Sequence, residues 1–507
     1  MTSFFSLWTA GDPRPALDST RFGKDRLVPR EEPSDTPAVL HDTFDGQIAA
    51  AGCLLLSEGD GLILLGGEEL LRQIGDTPGF VADMEPGRVR DALSAMVSPL
   101  RRLSPLGEAT LVCQKLALLD DLDKTQVRCD LVALDAGEGR KAAFFSAAAL
   151  RGYDKALDRL SNSLVARDDI SRIDARGAVA TLFPGAAGRD LKPDIAMTPR
   201  TTAFRAATDI IHAHLDLARA HETGAIADID SEFLHQYRVA LRKVRSVVSL
   251  FKGVYAPEES EDLKARFGAL MAQTGTLRDL DVYLIERESY LGLVPQPLRP
   301  GLELLFEDIA AERAQAQADL ARHLESDAYA REMRRLQKRF AKGGKKLAKG
   351  PEAERPAREL ARQLIWKRYR KVCAIARTID ASTSDDQVHE LRIHCKKLRY
   401  LMEFFAPVFP AAEVKPLLKA LKRLQDVLGT FNDCAVQKEA LEGRLSSGGT
   451  RSARKLEIAK SIGALLTVLD QRQKAARSEV EARFAAFDAP ATRAGFTKLF
   501  KTAGAKP

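Results

Sequence analysis

The sequence predicts two unlike halves: an α+β domain with antiparallel strands, then an all-α domain made of two copies of one helical unit. Three observations carry this. Residues 39–146 are short apolar runs broken by Gly and Asp. Residues 201–507 repeat apolar positions at three and four, and one pattern recurs 154 positions later inside that helical half. At 507 residues the chain is long enough for two or three domains.

Taken in order, residues 1–38 are rich in Pro, Asp and Arg and read as a loose lead-in to a domain spanning 39–180. AGCLLLSEGDGLILLGG at 51–67 reads as two strands around a tight turn, and ATLVCQKLALL and QVRCDLVAL as two more. PGRVRDALSAMVS at 86–98 opens with Pro and reads as a helix, and a longer helical run is expected at about 147–166. Residues 181–197, rich in Pro and Gly without periodicity, read as a linker. From 198 to 505 helices are expected, with breaks at Gly253, 295–300, 343–351 and 447–449.

Composition narrows the function. Residues 1–200 carry 24 Lys and Arg against 30 Asp and Glu, whereas residues 201–507 carry 53 against 40. The resulting nets of −6 and +13 give the chain its +7 and direct a polyanion to the helical half. No run of eighteen apolar residues occurs, so no membrane span is expected, and the N-terminus lacks the basic-then-apolar pattern of a secretory signal. Six cysteines without a CxxC pair argue against a disulfide framework or a zinc knuckle, and a reducing cytoplasm is the expected location.

The repeat is the most specific feature. LHQYRVALRKVRS at 234–246 matches VHELRIHCKKLRY at 388–400, and the offset persists through Phe251 with Phe405, Leu270 with Leu424, Gly275 with Gly429 and Asp279 with Asp433. On a helix, His235, Arg238, Arg242 and Arg245 fall within a stripe about 80° wide and about 15 Å long. Leu234, Tyr237, Leu241, Val244 and Val248 lie beside it, so the stripe borders the buried face. No Asp or Glu occurs between His235 and Tyr255, and the expectation is that the cations of both copies stand without acidic partners. An anion would relieve their repulsion, with Arg offering bidentate recognition of phosphate and Lys a mobile charge. For either copy alone, a solvated helix edge remains the plainer reading. Gly275 and Gly429 are expected at close helix packing or a C-cap, and Asp279 and Asp433 as orienting acids or caps.

The repeated H-x-x-R-x-x-x-[RK]-[KR]-x-R pattern, running in its second copy into KKLRYLMEFF and LKRLQDVLGTFND, resembles the CHAD family over about residues 198–505. That resemblance implies two four-helix bundles related by a pseudo-two-fold axis, with repeats at about 198–340 and 352–505, around a basic cavity that binds inorganic polyphosphate. It assigns binding to His235, Arg238, Arg242, Arg245, His389, Arg392, Lys396 and Arg399, with Lys243 and Lys397 at the rim. Lys415, Lys419, Lys422 and Arg423 form a further basic row with no counterpart at Gly268 and Ala269, which makes the second half of the site the expected stronger one. Residues 367–371 are read as part of the cavity, while Trp366 and Tyr369 are read as core.

HDTFDGQIAAAGCLLLSEGDGLILL at 41–65 resembles a strand pair of CYTH domains, the triphosphate tunnel fold. The E-x-E-x-K of that family is missing from residues 1–45, and leucines stand where cations would line a tunnel, so a degenerate and catalytically inactive version is expected. The E-x-E-x-R at Glu479, Glu481 and Arg483 falls in a helix, and His212 and His214 point apart, so neither is expected to hold metal. The reading is a cytoplasmic, granule-associated polyphosphate-binding protein without enzymatic activity or cofactor, whose N-terminal domain is open to a protein partner. Its rivals are a metal-dependent triphosphatase or polyphosphatase in the N-terminal half and a generic nucleic-acid binder. The latter is disfavoured by 6% aromatics and by a stripe that borders the core.

Overall fold

The computed structural model describes residues 3–18, 22–67, 70–77, 79–186, 188, 191–380, 382–446 and 452–501. They form two compact units, Met1–Lys192 and Pro193–Pro507.

The first unit is an antiparallel sheet of ten strands: β1 Phe4–Ala10, β2 Arg26–Pro29, β3 Ser34–Asp42, β4 Leu54–Glu58, β5 Gly61–Leu65, β6 Leu71–Ile74, β7 Ser104–Leu119, β8 Thr125–Asp135, β9 Lys141–Ala149 and β10 Ser171–Ile173. Their order is β10-β1-β9-β8-β7-β3-β4-β5-β6, and β2 pairs with β7. Five short helices flank it: α1 Arg14–Asp18, α2 Gln47–Ala50, α3 Arg88–Met96, α4 Asp154–Val165 and α5 Ala175–Leu182. The hairpin expected at 51–67 is β4–β5, with Glu58 opposite Gly61 and a turn that needs Gly59 at φ +58°.

Three expectations are corrected here. Residues 1–38 are no loose lead-in, because β1, β2 and the start of β3 lie in the sheet. β1 escapes a pattern search because it is apolar on both faces, with Trp8 in one core and Phe5 and Leu7 against the other. The helix expected at 147–166 begins only at Asp154, since residues 147–149 complete β9, and residues 181–182 of the expected linker close α5. One sheet face is filled by Leu40, Leu54, Leu56, Ile63, Leu65 and Phe144 against Ala178, Val179 and Leu182 of α5. The other packs Val127, Leu131 and Phe145 on Leu157, Leu160 and Leu164 of α4. The segment that carried the tunnel resemblance is held by structural polar contacts. Asp42 accepts the N–H groups of Thr43, Ile48 and Ala49 at 2.7, 2.9 and 3.0 Å, and Asp45 pairs with the buried Arg101 at 3.3 Å.

The second unit contains α6 Ala203–Ile226, α7 Ser231–Leu250, α8 Pro257–Ala272, α9 Gly275–Ile285, α10 Arg287–Leu293, α11 Arg299–Glu325 and α12 Asp327–Gly344. These are followed by α13 Ala357–Ala376, α14 Asp385–Phe404, α15 Ala411–Ser446, α16 Ala453–Phe487 and α17 Pro490–Phe500. The expected break at 447–449 lies outside the described residues. The 154-residue offset reaches the helix starts themselves: α6 with α13, α7 with α14, α8 with α15 and α11 with α16. α7 is started by Asp230, whose carboxylate accepts the N–H groups of Glu232 and Phe233. α14 begins with Asp385 and Asp386, acids that suit the positive end of a helix dipole.

Residues exactly one repeat apart touch each other, which locates a pseudo-two-fold axis. Phe251 stacks on Phe405 with ring centroids 4.5 Å apart and planes 12° from parallel. Thr202 bridges Pro356, and the Tyr283 hydroxyl donates to the Gln437 carbonyl at 3.4 Å. Both stacked rings are fully buried. Replacing either Phe251 or Phe405 with Ala is expected to destabilise the helical unit by about 3–5 kcal/mol. The double variant should lose less than the sum, with a coupling of about 0.5–1.5 kcal/mol. Denaturant midpoints of the full chain, followed by helical circular dichroism, check this.

Candidate functional site

The buried face of α7 sets the rotation of its basic stripe. Leu234, Tyr237, Leu241, Val244 and Val248 are buried, which leaves His235, Arg238 and Arg242 half-buried at the border and Arg245 exposed at the far end. α14 repeats the arrangement. Val388, Leu391, Cys395 and Leu398 are buried, Arg392, Lys396 and Arg399 half-buried, and His389 exposed.

The two stripes face each other across the axis. Arg242 and Lys396 are one repeat apart. Burial, then Arg392, then Arg242 from the other copy hold Lys396 below the ordinary lysine range. Arg392 is lowered by burial, with Asp433 opposing and Arg242 again repelling. Arg238 is lowered by burial and then by Arg242, with Asp279 opposing and Arg278 adding repulsion. Like charges thus converge at half-buried positions, where water screens them poorly.

Hydrogen bonding points the same way. Arg238 and Arg392, again one repeat apart, each keep a buried Nε–H without an acceptor. Their other nitrogens are anchored. Arg238 Nη1 donates to Thr274 Oγ1 at 2.6 Å, and Arg392 Nη2 reaches Asp433 Oδ1 at 3.5 Å. Arg278 on α9 also has a buried Nη1 without an acceptor, and it lies beside His235. A buried donor left unpaired costs about 1–3 kcal/mol, more on a charged group. Three such donors among facing cations are a preformed set of contacts for anionic oxygens.

Arg278 is the site residue that the motif does not reveal. Its counterpart is Asn432, whose Oδ1 accepts from His389 Nδ1 at 2.7 Å. The signal lay in aligning GTLRD at 275–279 with GTFND at 429–433. Gly275 and Gly429 do not serve close packing, because a Cβ at either would meet nothing within 4 Å.

The expectation of acid-free stripes fails in the second copy. Glu403 accepts from Arg399 Nε at 2.6 Å, Asp433 approaches Arg392, and Glu390 lies on the same helix. In the first copy, among the described residues, Arg238, Arg242, Arg245 and Arg278 have no carboxylate within 4 Å. Direct carboxylate contacts therefore fall on the stripe of the second copy. Lys415, Lys419, Lys422 and Arg423 are all exposed on α15. Relative to Asn432, Lys422 and Lys415 lie about 80° and about 100° round the helix, Lys419 about 140°, and Arg423 on the opposite side. Lys243 and Lys397 lie off the facing stripes, Lys243 near the buried His214 and Lys397 near Arg368 and Lys252.

Elsewhere, Tyr369 stacks on Phe496 in the core, with centroids 4.0 Å apart. His214 Nδ1 is bonded to the Ile210 carbonyl, while His212 pairs with Asp216. Arg483 pairs with Glu479 along α16. Among the described residues, no group of three or more His, Cys, Asp or Glu is placed to share a metal ion, and no helix is long and apolar enough to cross a membrane.

The family model of the CHAD domain matches residues 209–442, and the helical unit carries that domain. No curated protein matches the chain. Among solved structures, the chain is similar to the CHAD domain from the plant Ricinus communis at 23% identity and a TM-score of 0.48, covering 59% of this chain and 95% of that one. It is also similar to PptA from Streptomyces chartreusis at 12% identity and a TM-score of 0.43, covering 56% and 99%.

His235 provides a check on the electrostatics. Burial, with Arg278, Arg242 and Arg238 outweighing Glu232, holds its pKa below 6.5. The unfolded chain then binds the proton more tightly, so this group's contribution to stability is present above pH 6.5 and is lost as pH falls through the folded value. A bound anion reverses the shift. In NMR titrations the His235 pKa is expected to rise when tripolyphosphate is added, and affinity to increase as pH falls from about 7.5 to about 5.5. An unchanged pKa would place the anion elsewhere.

Proposed function

We propose that the helical unit, with its CHAD domain, binds inorganic polyphosphate between α7 and α14 and performs no covalent chemistry on it. The observation that carries this reading is the pair of acceptor-less guanidinium N–H groups at Arg238 and Arg392. They sit at equivalent positions and are backed by Arg242, Lys396 and Arg278.

The shape of the ligand follows from the charges. Each stripe runs about 15 Å along its helix, which suits a linear, repeating anion better than one phosphate group. Half-buried guanidinium groups beside the core face are hard for a rigid duplex to reach, whereas a thin flexible chain of phosphates can enter between the helices. His235 adds a donor whose strength grows with protonation. Granule association follows from the same binding and needs no separate device.

Reversing charge at both equivalent positions, Arg238→Glu with Arg392→Glu, is expected to weaken polyphosphate binding at least about a hundredfold, or ~2.7 kcal/mol. It should also flatten the salt dependence, since fewer counterions are released. Binding unchanged in that variant sinks the site assignment. Because the reading is of a binder, incubation of the chain with tripolyphosphate and Mg²⁺ or Mn²⁺ should release no phosphate. Steady turnover would instead favour a triphosphatase.

A further inference from the structure

The two copies are not alike on their other flank. α14 meets α13 through a second group of basic side chains that the facing stripes do not use. Arg368 Nη1 donates to His394 Nδ1 at 2.7 Å. An imidazole that accepts this bond is neutral, and burial together with Arg368 and Lys397 pulls the His394 pKa down to about 4. Lys397 is lowered by burial and then by Arg368 and by Lys252, which comes from the segment after α7. Lys371 stands at the edge of the group, 3.4 Å from Glu390, and Glu390 also lies 3.6 Å from His394. Among the described residues, Lys371 is the one cation of the four with a carboxylate within 4 Å, and that carboxylate is shared with His394.

The first copy has no such cluster. One repeat earlier, Arg368 corresponds to His214, His394 to Ala240 and Lys371 to Leu217, while Lys252 corresponds to Ala406 in the second copy. His214 is buried and points its Nδ1 to a backbone carbonyl, so that flank is core. The second flank is also continuous with the facing stripes, since Lys396 faces Arg242 and its chain neighbour Lys397 lies about 100° further round the same helix. A polymer leaving the stripes at Lys396 passes Tyr400 and Ile393, about 40° and about 60° round the helix, before it reaches Lys397.

We propose that Lys252, Arg368 and Lys397 form a second anion subsite on the α13–α14 flank, which takes the continuing length of the same polyphosphate chain. This rests on the polyphosphate reading and extends it to chain length. Polymers long enough to span both places bind more tightly, and a short one occupies only the facing stripes. The subsite on one copy alone also makes the site polar, so the polymer exits past the second copy.

The test compares tripolyphosphate with long-chain polyphosphate on the full chain and on the double variant Lys252→Gln with Arg368→Gln. Neither residue belongs to the facing stripes: Arg368, expected from the sequence in the cavity with the rest of 367–371, lies instead against His394 on the α13 flank. Long-chain affinity is expected to fall about tenfold and its salt slope by about two, while tripolyphosphate affinity stays within about twofold and thermal stability is unchanged. Wild-type-like affinity for both ligands in the variant, or equal losses for both, overturns the second subsite while leaving polyphosphate binding itself in place. Failure of the wild-type chain to bind either length overturns the underlying reading and the subsite with it.

Discussion

Contact between residues exactly one repeat apart is the constraint on which the helical unit depends. A duplicated helical unit that pairs about a two-fold axis must bring some residues onto their own counterparts. At Phe251 and Phe405 this is favourable, because two aromatic rings bury each other. At Arg242 and Lys396 the same symmetry is unfavourable, because it brings two half-buried cations close enough to repel each other. The same symmetry that completes the core therefore concentrates positive charge, and packing has to carry that cost in the free protein. A site that is strained in the free protein and relieved by ligand trades stability for binding.

The two units settle their buried charges differently. In the sheet unit Arg101 pairs with Asp45, and Asp42 accepts three backbone N–H groups. Apolar side chains and α5 fill one face of its sheet. In the helical unit Arg238, Arg278 and Arg392 leave buried donors open. On the proposed reading, anion binding falls to the helical unit, where these open donors stand among facing cations.

Much of this was legible in the sequence, for identifiable reasons. The stripe and its core face followed from helical periodicity, because α7 and α14 are regular and bury one continuous side. The offset of 154 was readable because the repeat carries no insertion from α6 through the start of α16. What escaped depends on contacts between elements. Arg278 is a single arginine on a different helix, reached in sequence only through the GTLRD and GTFND alignment and marked as a site residue by its place beside His235. Glu403 and Glu390 stand at i,i+4 spacing from Arg399 and His394 on α14, which the sequence shows, but the contact of Glu390 with Lys371 of α13 appears only in the fold. β1 was missed because burial on both faces removes the alternation that marks a strand.

The central claim is that these facing cations form a dedicated site for a phosphate polymer and not a generic basic surface. The most direct measurement titrates long-chain polyphosphate into the full chain at two salt concentrations, with RNA as competitor at matched phosphate. The account predicts tight binding that weakens steeply with salt and that RNA does not displace. Weak binding, or ready displacement by RNA, would contradict it and leave a helical fold whose charged stripes recognise no particular polyanion.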